Sequence, residues 1–253
     1  MLKTRVMPCL LLKKRGLVKT IKFQNPNYVG DPINTIRIFN EKEVDELILL
    51  DITATTENKD PNFTLISEVA SECFMPLTYG GGIRSIEVAK IIFSLGVEKI
   101  VINSYAVKNP RFIRELADVF GSQSIIVSID AKKNWIGKYI VYSDSGKNPT
   151  QYSPVELSQQ AEQMGAGEIL ITSIDRDGTF EGYDTVLIKN VSSSVNIPVI
   201  ACGGAGSVND FVEAVIHGGT SAVAAGSMVV YQGKNRGVLI NFPLREELES
   251  ALP

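Results

Sequence analysis

Pro76-Leu77-Thr78-Tyr79-Gly80-Gly81-Gly82-Ile83-Arg84-Ser85 runs from a short apolar segment into three glycines and a serine, and a second apolar segment soon ends in Asn103-Ser104. Half a chain further on, Pro198-Val199-Ile200-Ala201-Cys202-Gly203-Gly204-Ala205-Gly206-Ser207 repeats the plan and is followed by Gly226-Ser227. A glycine turn at a strand end lets backbone N–H groups approach an anion, and a second strand end beside it completes a cup. Two such cups point to a ligand carrying two phosphates. Their spacing points to a fold made of two similar halves.

Working outward, short apolar or β-branched segments alternate with amphipathic ones. The predicted strands are Val6–Leu11, Leu47–Asp51, Pro76–Tyr79, Lys99–Ile102, Ile125–Ile129, Glu168–Thr172, Pro198–Ala201 and Ala222–Ala225, each followed by a stretch that can form a helix. They read as nearly continuous apolar runs, as a parallel sheet covered on both faces requires. Val88, Ile91, Ile92 and Leu95 have the i, i+3, i+4, i+7 spacing of one helix face. Asn109-Pro110 and Ser153-Pro154 read as N-caps followed by proline at the first helical position, the second opening a helix from Val155 to Met164. Strict alternation over a chain of 253 residues fits a closed (β/α)8 barrel. An open doubly wound sheet would more often carry one phosphate turn near its start, whereas here the turns follow the third and seventh strands. Residues 1–253 are therefore predicted to form a single α/β domain, a TIM barrel of two half-barrel repeats. One interruption is expected: Lys132 to Tyr142, with Trp135 and Gly137, reads as a hairpin excursion after the fifth strand.

With 44% hydrophobic residues the chain can bury a large core, and its net charge of −3 and pI near 5.4 argue against a nucleic-acid footprint. The basic run Lys13-Lys14-Arg15 is too short to change that. No apolar run is long enough to span a membrane, and the N-terminal apolar stretch, broken by Lys3, Arg5 and Pro8, does not read as a signal peptide. Cys9, Cys73 and Cys202 stand at unrelated positions, so a reducing, cytoplasmic setting without a disulfide framework is expected.

Catalytic groups of a barrel sit at the carboxyl ends of its strands, where the acidic candidates are Asp51, Asp130 and Asp177. Asp130 closes the fifth strand and reads either as a general acid or base or as a loop-bracing aspartate. Asp175-Arg176-Asp177-Gly178-Thr179 reads either as a plain turn or as a ligand contact. His217 is the sole histidine and lies away from that rim, so it reads as structural. Cys202 lacks a sequence neighbour that would activate it as a nucleophile. No spacing of Cys, His and carboxylates resembles a metal site. Asp51 and Asp177 could hold Mg²⁺, but the cups require neither a metal nor a cofactor.

Beyond the glycine turns, the chain carries Arg5 to Cys9, Leu49-Leu50-Asp51-Ile52-Thr53-Ala54, Val107-Lys108-Asn109-Pro110, Ile129-Asp130-Ala131-Lys132 and Asp175-Arg176-Asp177-Gly178-Thr179. With these it resembles, along nearly its whole length, the cyclase subunit of imidazole glycerol phosphate synthase from histidine biosynthesis. The resemblance implies a bisphosphorylated substrate across the barrel mouth and ammonia arriving through the barrel from a glutaminase subunit at the opposite face. It makes Gly82 with Asn103 one phosphate site and Gly204 with Ser227 the other, and matches Lys19 to the lysine of a mobile first loop. It further makes Arg5, Glu46, Lys99 and Glu168 a charged ring at the base that gates ammonia. Such a ring is also a salt-bridged plug, and the two descriptions are compatible.

The same resemblance exposes a departure. The family works with two aspartates on opposite sides of the mouth; Asp130 supplies one, but three residues after Pro8 this chain has Leu11. Losing one general acid or base lowers a rate by ~10²–10⁴, about 3–5 kcal/mol of barrier. Asp51, Asp177 or Lys19 could substitute only from other directions. Leu10 to Leu12, with the loop Phe23 to Asp31, resembles a paralogous branch associated with bacterial surface-polysaccharide assembly. That likeness implies a barrel and glutaminase feeding ammonia to a separate sugar amidotransferase that builds an acetamidino group. The alternatives are a working histidine-pathway cyclase that tolerates Leu11, and a scaffold that activates a glutaminase without doing chemistry.

Overall fold

The structure, a computed structural model, describes residues 4–233 and 235–253. In chain order the elements are β1 (Arg5–Lys13), β2 (Gly16–Ile21), β3 (Gln24–Gly30), α1 (Pro32–Glu41), β4 (Leu47–Asp51), α2 (Phe63–Glu72), β5 (Leu77–Gly80), α3 (Ile86–Ser94), β6 (Lys99–Ile102), α4 (Ser104–Lys108), α5 (Arg111–Phe120) and β7 (Ile125–Lys133). They continue with β8 (Tyr139–Ser143), β9 (Asn148–Pro149), α6 (Pro154–Gln163), β10 (Glu168–Ser173), α7 (Thr185–Ser192), β11 (Val199–Cys202), α8 (Val208–Ile216), β12 (Ala222–Ala225), β13 (Tyr231–Gln232), β14 (Gly237–Val238) and α9 (Arg245–Ala251). Parallel pairing runs β1–β4–β5–β6–β7–β10–β11–β12 and returns to β1, which closes a (β/α)8 barrel. In that ring β1 and β7 stand on opposite sides.

Alternate residues of each strand face inward and outward, which separates two cores. Met7, Cys9, Ile48, Val101, Ile126, Leu170, Ile200, Ala222 and Ala224 fill the interior. Val6, Leu10, Leu12, Ile100, Val127 and Ile169 belong to the second core, where helices such as α1 contribute Ile36 and Phe39. Both faces are apolar, so the strand segments read as unbroken apolar runs.

The hairpin after the fifth barrel strand is present, with Asp130 opposite Tyr142 and Lys133 opposite Tyr139 in the β7–β8 pair. It is not the sole interruption, however. β1 runs on to Lys13 and turns through Lys14, at φ 60°, into β2, which pairs back on β1 and then with β3. Lys13-Lys14-Arg15-Gly16 carries no strong hairpin signal, and β3 is exposed along most of its length, so alternation gave no warning. Two helix details also shift. In α3 Ile92 is buried and Val88 and Leu95 pack against the core as the spacing predicts, while Ile91 is exposed and Ala89 is buried. Pro110 itself occupies the N-cap of α5, with the Asn109 carbonyl accepting from Phe112 N–H, one residue later than the sequence suggests. Ser153 does cap α6, in a reciprocal pair with Glu156.

Among the described residues no helix is long and apolar enough to cross a membrane. Cys9, Cys73 and Cys202 are free thiols.

Candidate active site

The two glycine turns fold alike. Gly81 and Gly82 have φ of 121° and 72°, and Gly203 and Gly204 have 87° and 119°, a region that favours glycine. Ser85 and Ser207 then cap α3 and α8 with nearly identical extended backbones, φ −150° and −153°. The adjoining strand ends match as well, with Asn103 at φ −128°, ψ −86° and Gly226 at φ −105°, ψ −81°. The half-chain repeat is thus a repeat of backbone geometry. A Cβ on Gly204 would lie 2.2 Å from the Gly182 carbonyl oxygen, and one on Gly81 would lie 2.5 Å from the Asp51 carbonyl oxygen, so neighbouring loops close tightly on each turn.

Both turns line one cavity of about 380 Å³ at the carboxyl ends of the barrel strands. The cavity brings together Leu11, Lys19, Asp51, Gly82, Asn103, Asp130, Asp177, Gly204 and Ser227. Asp130 is 9% exposed. Its carboxylate accepts hydrogen bonds from Ser128 Oγ at 3.2 Å and Asn103 Nδ2 at 3.3 Å. Burial pushes the Asp130 carboxyl up to about 7; the Ser128 hydroxyl opposes that rise and the Asp177 charge adds to it. A carboxyl titrating near neutrality can both take and give a proton. From the opposite side of the ring, near the carboxyl end of β1, Leu11 presents hydrocarbon to the same cavity.

The other two candidate acids line the same cavity and also brace the loops around it. Asp51 Oδ1 accepts from Thr53 N, Thr53 Oγ1 and Ala54 N at 2.8, 2.8 and 3.1 Å, which pins the loop after β4. Asp177 Oδ2 accepts from Thr20 Oγ1 at 2.7 Å and Phe23 N at 3.3 Å, and the Lys22 N–H reaches the Asp177 carbonyl at 2.9 Å. The Asp175–Thr179 segment is therefore both a turn and a cavity wall. It latches the β2–β3 hairpin over the barrel. Burial raises the Asp177 carboxyl against the pull of Thr20 and Lys19. Asp51 and Asp177 face different partners, and among the described residues no cluster of three or more His, Cys, Asp or Glu is arranged to hold a metal.

Lys19, matched to a loop residue, lies on β2 and is 5% exposed. Its ammonium donates to the Cys9 carbonyl, and burial lowers its pKa. A Cβ on Gly226 would lie 2.6 Å from Lys19 Nζ, so the amine borders the second cup. Cys202 packs against the interior cluster that contains Cys9; the Cys9 side chain and burial both hold its thiol well up, which keeps it protonated. His217 ends α8 beside Glu213 at 3.5 Å, away from the cavity.

At the other end of the barrel, Arg5 reaches Glu46 at 2.8 Å and Glu168 at 2.8 Å, and Lys99 reaches the same two carboxylates at 3.0 and 2.7 Å. The charges alternate round a closed ring. Burial raises the Glu168 carboxyl, but its hydrogen bonds to Arg5 and Lys99 outweigh that and hold it below the usual range. Beyond the residues named from sequence, Ser128, Thr20 and Phe23 also carry the site. Ser128 stands two residues before Asp130 on one strand face and was legible by period; Thr20 and Phe23 reach Asp177 only through the folded-back hairpin.

The family model described as "Histidine biosynthesis protein" matches residues 5–236. "Putative imidazole glycerol phosphate synthase subunit hisF2" of Pseudomonas aeruginosa is 57% identical, covering 96% of this chain and 97% of that protein. "Putative imidazole glycerol phosphate synthase subunit hisF3" of Vibrio vulnificus is 44% identical over 100% and 97% of the two chains. "Imidazole glycerol phosphate synthase subunit HisF" of Alkaliphilus metalliredigens is 43% identical over 91% and 92%. Full-length identity at this level, with the barrel and its doubled glycine turns, means that the chain belongs to the histidine biosynthesis protein family, as a barrel of the imidazole glycerol phosphate synthase HisF type.

Proposed function

We propose that this barrel receives ammonia at its charged base from a glutaminase subunit and passes it to a sugar amidotransferase in the cytoplasmic assembly of a surface polysaccharide. The observation that carries the reading is Leu11, which presents hydrocarbon where proton transfer opposite Asp130 would need an acid. The base ring of Arg5, Glu46, Lys99 and Glu168 is intact, and the interior above it is lined by small and apolar side chains such as Met7, Ala222 and Ala224. Such a lining costs neutral ammonia only its few hydrogen bonds to water but would cost ammonium the far larger hydration of its charge, so it favours the neutral species. Relatives named hisF2 and hisF3 fit a paralogous branch.

The reading is tested by glutamine-dependent amidation of the acceptor sugar, reconstituted from barrel, glutaminase and amidotransferase. Activity should fall to background without the barrel and return when ammonium salt is supplied. Equal activity without the barrel overturns the reading. Lys99→Trp, placed in the ring, should stop transfer from glutamine while glutamine hydrolysis continues. A scaffold that merely activates the glutaminase would be indifferent to it.

A second reading, a working cyclase, is favoured by the Asp130 carboxyl near 7 and by both glycine turns being kept. In that case a bisphosphorylated ligand would span Gly82 with Asn103 and Gly204 with Ser227.

A further inference from the structure

Trp135 is 95% exposed and Ile136 52% exposed at the tip of the β7–β8 hairpin. Tryptophan is buried on average, and leaving a large aromatic and an aliphatic side chain in water forgoes the transfer free energy that covering them would release. The tip is also held still. Asn134 N–H donates to the Lys138 carbonyl at 2.8 Å, Gly137 N–H to the Asn134 carbonyl at 3.0 Å, and the Asn134 side-chain oxygen accepts from Ile136 and Lys138 N–H at 3.1 and 2.9 Å. At the hairpin's foot Lys133 N–H bonds Asp175 at 2.9 Å and Tyr139 Oη bonds Asp184 at 2.8 Å. A pre-ordered aromatic anchor loses little entropy on binding, which is the property of interface hot spots.

We propose that this tip is the docking contact for the ammonia-accepting amidotransferase, through a pocket on that enzyme that is apolar at its centre and rimmed by carboxylates. The inference rests on the conduit reading and adds the surface by which the acceptor is held. Two observations choose the occupant. The hairpin extends β7 beyond Asp130, so Trp135 stands at most roughly 17 Å along the strand direction from the cavity's carboxyl. It is at the mouth, the end opposite the Arg5–Glu168 ring, so an enzyme seated over the mouth meets it and a partner at the base does not. The charge is also local: residues 132–143 carry Lys132, Lys133 and Lys138 and no acid, on a chain of net charge −3. A second copy docking by the same tip would bring two sets of lysines together, and like-charge juxtaposition disfavours it.

The test is calorimetric titration of the amidotransferase into the barrel–glutaminase complex, with wild type, Trp135→Ala and Lys138→Glu. Trp135→Ala should weaken acceptor binding at least tenfold; Lys138→Glu should weaken it and flatten its salt dependence. Binding of the glutaminase and the thermal unfolding midpoint should stay as in wild type. Wild-type binding that Trp135→Ala leaves unchanged overturns this inference and spares the conduit reading. No binding by the wild-type complex overturns both. Trp135-dependent binding of the complex to phosphatidylglycerol vesicles, with acceptor affinity unaffected by Trp135→Ala, also overturns it and assigns the tip to a lipid surface.

Discussion

Asn103 Nδ2 donates to Asp130 Oδ2 at 3.3 Å and to the Ser128 carbonyl at 3.0 Å. The residue that ends β6 beside the first glycine turn therefore touches the carboxyl that ends the inward face of β7. Any anion that reorients Asn103 changes the number of donors facing Asp130, so occupancy of the first cup and the protonation of Asp130 are physically linked. The opposite wall offers no such link, because Leu11 neither donates nor accepts.

The raised Asp130 carboxyl has a consequence for stability. Its folded pKa, about 7, lies above the unfolded value of 3.8, so the native state holds the proton more tightly. That contribution is full below about pH 4 and is lost as pH rises through about 7. Asp130→Asn removes the titration. The variant should match wild type in urea unfolding at pH 4 and exceed it at pH 8 by about 2–4 kcal/mol. Equal stability at both pH values would mean that Asp130 is not buried as an acid.

Gly204 tests the second cup. An added Cβ would meet the Gly182 carbonyl at 2.2 Å with the backbone at φ 119°, so Gly204→Ala must push the loop after β10 away from the turn. It should cost about 1–3 kcal/mol and abolish stabilisation by inorganic phosphate in thermal unfolding. Gly137→Ala is the control: its φ is also positive, at 81°, but nothing lies within 4 Å, so it should cost about 1 kcal/mol and leave phosphate binding intact. Equal phosphate response in the two variants would dissociate the turn from anion binding.

Much of this site could be read before the structure was known, and the reason is locality. The glycine turns are set by backbone conformation at single positions, and residues of one inward strand face follow a period of two, which is how Asp130 and Ser128 come together. The β2–β3 hairpin was less legible because it folds back on β1, where Lys19 meets Cys9, and because Thr20 and Phe23 acquire their roles only on docking against Asp177, more than 150 residues away. Asp51 shows what a strand-end carboxylate hides in sequence: it lines the cavity, and its Oδ1 also binds its own loop at Thr53 and Ala54. On α3 the face was legible through Val88, Ile92 and Leu95, with Ile91 turned outward and Ala89 buried beside them.

The most direct test concerns Leu11. Turnover of the bisphosphorylated histidine-pathway intermediate should be measured with excess ammonium salt, so that no glutaminase is needed, for the wild-type chain and for Leu11→Asp. The wild-type protein is expected to fall ~10²–10⁴-fold below an ordinary cyclase, and Leu11→Asp to recover a measurable part of that rate. Wild-type turnover equal to that of an ordinary cyclase, unimproved by Leu11→Asp, would contradict the account and return the protein to the histidine pathway.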